Sequence, residues 1–173
     1  MSQQDDGSNT HQAYSSKSES QPARIRSIRP DDYESWRPLW DGYNAFYGRT
    51  GPTALREEIT HTTWTRFLDP NEPVNALVAE GGQGVVGFAH YLFHQSTTRI
   101  HPVCYLQDLF TAVGFRRQGV ARVLIQTVFS VACEAGCSRV YWQTQAANHN
   151  ARALYDKLAE HRGFIVYVHE LKD

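Results

Sequence analysis

The stretch Tyr105-Leu-Gln-Asp-Leu-Phe-Thr-Ala-Val-Gly-Phe-Arg-Arg-Gln-Gly-Val-Ala121 decides the reading of this chain. Its first half has the composition of a strand, its middle is a short loop, and its end opens a helix. Arg116, Arg117, Gln118, Gly119, Val120 and Ala121 sit at the turn. Backbone N–H groups at a helix start lack partners and point outward together. With the helix dipole they favour an anion. Gly119 lets the chain approach a ligand closely, Ala121 keeps the first turn slim, and two arginines add positive charge. A phosphate or pyrophosphate seat and a solvated basic turn before an ordinary helix are both open on these residues alone.

Downstream, Gly119 to Glu134 reads as a helix, with Val120, Val123, Leu124, Thr127, Val128 and Val131 on one face and Gly136 as its C-terminal cap. Ser138 to Thr144 is expected as a strand, Asn148 to Glu160 as a helix with Asn148 as N-cap, and Phe164 to His169 as a last strand. Upstream, Val103 to Thr111 is a strand. Val74 to Glu80 and Val85 to His94 are two more, flanking Gly81-Gly82-Gln83-Gly84. A strand rather than a helix follows these glycines, so they predict a hairpin turn and not a phosphate cradle. Arg24 to Arg29 is a short strand. Asp31-x-x-Glu34 has the form of a capping box, and Trp36, Leu39, Trp40, Tyr43, Phe46 and Tyr47 then mark an amphipathic helix with an aromatic face. A second helix is expected from Thr53 to Phe67. The order β-α-α-β-β-β-α-β-α-β predicts an α/β fold with a mixed sheet and at least one parallel pair in its C-terminal half.

Residues 1–23 contain no Ile, Leu, Val, Phe or Trp and predict a disordered polar tail before one domain spanning 24–173. A formal net charge of −1 offers no general attraction to nucleic acid or an anionic membrane. No apolar run approaches the roughly 18 residues of a membrane span, and the first residues lack the basic start and apolar stretch of a secretory signal. The three cysteines, Cys104, Cys133 and Cys137, form no disulfide framework and suit a cytoplasmic location. Cys133 and Cys137 read as small buried apolar residues rather than a metal pair.

Together these residues resemble the GNAT superfamily of N-acetyltransferases. Arg116-x-x-Gly119-x-Ala121 fits its Gln/Arg-x-x-Gly-x-Gly/Ala signature. Leu109-Phe110-Thr111 precedes it, Asn148-x-x-Ala151-x-x-Leu154-Tyr155 follows it, and Gly163-Phe164 closes the pattern. The resemblance covers about residues 24 to 170. It implies acetyl-CoA as co-substrate and no metal. The pyrophosphate would lie on the amides from Arg117 to Ala121. The strand ending at Thr111 would carry a bulge and splay from Ser138 to Thr144, so that freed backbone groups of Leu109, Phe110 and Thr111 meet the pantetheine arm. The amide near Thr111 would act as an oxyanion-hole donor. Asn148 would contact the cofactor as well as cap its helix. Tyr155 would protonate the leaving thiolate, although Ala151, Leu154 and Tyr155 also fit a packed helical face.

An alkylammonium acceptor must lose a proton before it attacks. Tyr105, Gln107 and Asp108 are the nearest candidates to take it. Simple alternation puts Tyr105, Gln107 and Leu109 on one strand face and Asp108 on the other. The strings Tyr105 to Phe110 and Gly87-Phe88-Ala89-His90-Tyr91 are similar to spermidine/spermine and thialysine N-acetyltransferases, and to yeast enzymes acting on histones, polyamines or D-amino acids. Those polyamine enzymes usually have Glu where this chain has Gln107. Gln107 is no base, which leaves Asp108, or a water held by Gln107 and Tyr105. His90 and His94 share a strand face, either lining the acceptor cleft, acting as a relay, or as ordinary partly exposed polar residues. Tyr47, beside the Gly48–Gly51 loop, is expected to face the acceptor. The resemblance thus implies transfer to the primary amine of a small molecule. Protein or histone lysine is the alternative acceptor, a non-catalytic acyl-CoA sensor is a third reading, and a homodimer is common among such enzymes.

Overall fold

A computed structural model describes residues 23–82 and 84–171. The expected polar tail, residues 1–23, lies outside the described residues apart from Ala23. Five strands form one mixed sheet in sequence order: β1 (Arg24–Ser27), β2 (Val74–Gly81), β3 (Gly84–His94), β4 (Val103–Thr111) and β5 (Val140–Tyr141). The first four pair antiparallel, and β5 pairs parallel to β4. Helices α1 (Tyr33–Phe46) and α2 (Glu57–Leu68) follow β1, α3 (Val120–Glu134) follows β4, and α4 (His149–Tyr155) follows β5. Gly81 pairs with Gly84, so the glycine-rich segment is the hairpin turn that its flanking strands predict.

The sheet has an apolar cluster on each face. On one, Trp36, Leu39, Trp40 and Tyr43 of α1 and Trp64 of α2 pack on Val78 and Phe88. On the other, Val120, Leu124, Ile125, Val128 and Ala132 of α3 pack on Ala89, Cys104 and Leu106. The 3.6-residue period therefore located both helices, with small rotations. Phe46 is exposed at the end of α1, and Val123 is exposed on α3 while Ile125 and Ala132 take the buried positions. Cys133 is exposed rather than buried, and only Cys104 is fully enclosed.

Four expectations change. The turn before α1 is capped by Asp32, not by an Asp31–Glu34 box: its carboxylate accepts from Arg29 N–H at 2.7 Å. It also forms a two-point pair with Arg26, at 2.6 and 2.8 Å, which holds its pKa below the usual carboxylate range. The strand expected over 138–144 pairs only at Val140 and Tyr141, and α4 is shorter than expected. Phe164 to His169 forms no strand. It has strand composition but no strand partner among the described residues, and Phe164 and Tyr167 are 85% and 87% exposed.

Candidate functional site

The site is built where β4 and the chain after β5 part. Strand β4 pairs with β5 only through Cys104–Val140 and Tyr105–Tyr141. Beyond that point the two chains diverge, and a narrow cleft opens between Tyr43, Tyr47, Gln107, Leu109, Trp142, Gln143 and Tyr155.

A bulge in β4 shapes its floor. His90 pairs with Asp108 but Tyr91 pairs with Leu106, so Gln107 is the extra residue. The bulge shifts the alternation by one residue, so that Leu106 and Asp108 no longer share a face. Leu106 and Leu109 both pack toward α3, while Asp108 turns to the α1 face, where its carboxylate meets His90 Nδ1 at 3.0 Å. Gln107 itself points into the cleft.

The end of β4 presents free backbone groups. Ala112 N–H donates to Val86 C=O at 2.9 Å, which makes Thr111 and Gly87 a non-hydrogen-bonded pair. The N–H and C=O of Thr111, and by the same alternation those of Leu109, therefore point away from β3 toward the gap. Thr111 C=O accepts from Arg116 Nε at 3.1 Å, and Arg116 also lies over the Phe110 ring at 5.6 Å. Arg116 thus fastens the turn to the strand. The Thr111 hydroxyl is buried without a hydrogen-bond partner. Gly87 permits the close approach of β3 here: a Cβ would stand 2.8 Å from Phe110 C=O.

The turn into α3 has the shape of an anion cradle. Arg117 has φ +62°, and Gly119, the N-cap, has φ +87°. The first bond of the helix runs from Val123 N–H to Gly119 C=O, so the amides of Val120 and Ala121 are outside the helical ladder. A Cβ at Gly119 would meet no atom within 4 Å, so the backbone is open to close approach at that point. Gln118 donates to Gly114 C=O and steadies the loop. Phe110 packs into the α1 side of the core and reaches the turn only through Arg116.

Asn148 caps α4, accepting from Ala151 N–H and donating to Thr144 Oγ1 at 3.1 Å. At the helix end, the Tyr155 ring stands edge-on to Trp142, 5.4 Å between centroids. Burial pushes its phenol up to about 12, so it enters the cleft as a proton-bearing group at neutral pH. Burial raises Tyr43 and Tyr47 as well, and the nearby negative charge of Asp108 adds to both shifts. Arg49 lies over the Tyr47 ring at 5.9 Å.

Of the residues marked in the sequence, Tyr47, Gln107, Leu109 and Tyr155 thus meet at one cleft, with Asp108 behind its tyrosines. His90 is 1% exposed, not the partly exposed residue that a strand histidine suggests. His94 bonds Tyr141 OH at 2.9 Å and bridges β3 to β5. Among the described residues no cluster of three or more metal-ligating side chains occurs. Sequence reasoning did not reach Tyr43, Trp142 or Gln143 as cleft residues. Trp142 and Gln143 directly follow the short β5 and so form the far lip of the gap.

A mixed sheet opens beside a strand–turn–helix cradle, and residues 33–159 match the acetyltransferase (GNAT) family. The chain belongs to that family and is an acyltransferase. It is 37% identical over 145 residues to the D-amino-acid N-acetyltransferase HPA3 of Saccharomyces cerevisiae, covering 83% of this chain and 88% of that one. It is 30% identical over 86 residues to a thialysine N-epsilon-acetyltransferase of Caenorhabditis elegans, covering 50% and 53%. In fold it is similar to a crystal structure of a probable acetyltransferase, with a TM-score of 0.73, 23% identity, and 87% and 99% of the two chains covered.

Proposed function

We propose that this enzyme transfers the acetyl group of acetyl-CoA to the primary amine of a small, amino-acid-like acceptor. The observation that carries this reading is the bulge at Gln107, which sets Asp108 beside the cleft tyrosines while the Leu109 backbone and the Thr111 N–H face away from β3. The residues present fit the co-substrate. The cradle at Arg117, Gly119, Val120 and Ala121 suits a pyrophosphate, and Thr111 N–H suits the acetyl carbonyl, where negative charge grows during attack. Acetyl-CoA supplies the activated thioester. Asp108 accepts the proton of the acceptor's ammonium, and Tyr155 donates its phenolic proton to the departing thiolate. Asn148 holds the start of α4, and with it Tyr155, against the cleft. Gln107 and Tyr47 orient the acceptor.

Charge around the cleft favours an amino acid over a polyamine. Asp108 suits an ammonium, and Arg49, seated over Tyr47, suits a carboxylate at the other end. A polycation would meet that arginine with like charge. The relative HPA3, a D-amino-acid N-acetyltransferase, points the same way. Lysine in histones or other proteins is the second reading. We place the reaction in the cytoplasm, in keeping with three free thiols. The test is acetyl-CoA turnover across D- and L-amino acids, diamines, polyamines and a histone tail peptide. Amino acids should have the highest kcat/KM and Asp108→Asn should remove most of it; a preference for the histone peptide would overturn the acceptor assignment.

We also propose a second copy as the partner of Phe164–Val168. Five consecutive apolar residues face water there, and the same chain has an open β5 edge over a groove lined by Phe129, Ala132, Val140, Trp142 and Leu158. Strip and edge are on the same chain and complement each other, as a two-fold exchange requires. Sedimentation should give a dimer that Val166→Pro dissociates; a monomeric wild type at micromolar concentration contradicts it.

A further inference from the structure

Behind the cleft a polar chain crosses the aromatic core. Trp36, fully buried in the first turn of α1, points its indole Nε1 at His90 Nε2, 3.1 Å away. The other ring nitrogen, Nδ1, lies 3.0 Å from Asp108 Oδ2. Phe88 stacks on the imidazole, 4.2 Å between centroids and 9° from parallel, and Phe67 covers it at 4.4 Å.

The donor inventory fixes the protons. An indole N–H only donates. His90 Nε2 must therefore keep its lone pair, and the single ring proton resides on Nδ1. Nδ1–H then donates to the Asp108 carboxylate. Packing alone does not require this: a leucine or phenylalanine would fill an aromatic pocket without a buried polar group to satisfy. A histidine here gains by ending on a carboxylate that stands beside the cleft tyrosines Tyr43 and Tyr47.

We infer that Trp36 and His90 are positioning residues for Asp108. Trp36 caps Nε2 of the Nδ1–H tautomer, and His90 holds one carboxylate oxygen so that Asp108 meets the acceptor's ammonium in a fixed orientation. The inference rests on the proposed role of Asp108 as the base. His90 is not a further proton acceptor. When Asp108 takes a proton, an ammonium N–H bond breaks and a carboxyl O–H bond forms. Nδ1 already carries hydrogen and Nε2 is occupied by the indole, so that proton leaves through the cleft to water.

The tautomer is read directly by imidazole nitrogen–proton correlation spectra of the full-length, ¹⁵N-labelled enzyme. The expected spectrum has His90 protonated at Nδ1 and bare at Nε2, and Trp36→Phe should move the Nε2 resonance, because that nitrogen loses its indole donor, while the Nδ1 proton stays donated to the carboxylate. A wild-type His90 carrying its proton on Nε2 overturns the inference. Kinetics supply the second arm. His90→Leu removes the donor and should lower kcat about 10- to 100-fold, the scale of a misplaced catalytic group, with the KM for acetyl-CoA unchanged. His90→Asn places an amide N–H near the Nδ1 position and should restore most of that loss, which a general packing role does not predict. Should His90→Leu fail to fold, the Asn variant and the spectra decide. If Asp108→Asn is inactive while folded His90→Leu turns over normally, the positioning role fails and the base assignment stands. If Asp108→Asn remains active, the base assignment itself fails.

Discussion

Gly119→Glu separates what the glycine does for the fold from what it does for the ligand. Gly119 is the N-cap of α3 at φ +87°, and a Cβ there would meet no protein atom within 4 Å. The cost to folding is therefore conformational alone, about 1–2 kcal/mol for a left-handed non-glycine residue. For a domain of this size that is a fall in Tm of roughly 2–8 °C. The cost to binding is larger. The added side chain enters the space before the free amides and brings a carboxylate toward the seat assigned to the pyrophosphate. Two like charges about 5 Å apart at an effective dielectric near 20 repel by about 3 kcal/mol, which is about 200-fold in Kd. Calorimetric titration of CoA into wild type, Gly119→Gln and Gly119→Glu divides the effect. Gln reports bulk and backbone strain, and the further loss in Glu reports charge, which added salt should diminish. A folded Gly119→Glu that binds CoA with wild-type affinity refutes the pyrophosphate assignment. A collapse of the melting transition refutes the claim that the position is open.

Tyr155→Phe keeps the ring against Trp142 and removes the acid, so kcat should fall about 100-fold with an unchanged KM for acetyl-CoA; retention of more than about half of kcat, with chemistry rate-limiting, makes Tyr155 a wall only. Arg49→Ala should raise KM about 10-fold for carboxylate-bearing amines, from the loss of one charged contact, and leave simple alkylamines unaffected; equal changes for both classes would remove Arg49 from acceptor recognition. Urea unfolding should show stability falling with alkali. Burial pushes Tyr91 and Tyr155 up to about 12, whereas unfolded phenols ionise near 10. The unfolded state therefore binds fewer protons above about pH 10, and the stabilisation, complete below that pH, is lost between about 10 and 12. Each two-unit shift corresponds to about 3 kcal/mol, and Tyr91→Phe should flatten the fall; equal stability at pH 8 and pH 11 would contradict the burial of both.

The strand–turn–helix at Tyr105–Ala121 was legible because its signals are local. Gly119 supplies a positive φ, and the periodicities of β4 and α3 switch across a few residues. The hairpin at Gly81–Gly84 was legible for the same reason. The orientation of Asp108 was not, because the bulge exists only in the pairing of Leu106–Asp108 with His90 and Tyr91 across the sheet. Alternation read along one strand keeps Asp108 opposite Leu109, as found, but assumes no insertion and so leaves Asp108 on the same face as Leu106, which the bulge separates from it. The Trp36–His90–Asp108 chain joins residues separated by 54 and 18 positions, a relation that no spacing rule detects. Phe164–His169 failed differently. Its composition states a capacity for pairing, and the described fold offers it no partner strand.

The four tryptophans fall into two optical environments. Trp36, Trp40 and Trp64 lie within the α1–α2 face, Trp36 being 5.6 Å from Trp40 and 5.0 Å from Trp64 between ring centroids. At such separations their excited states exchange energy, and their shared emission follows the integrity of that core. Trp142 belongs to the other face and stands at the cleft against Tyr155. Its emission follows events in the gap between β4 and β5. A variant retaining only Trp142 would therefore report occupancy of the cleft without an attached dye, and one lacking only Trp142 would report unfolding with no contribution from the ligand.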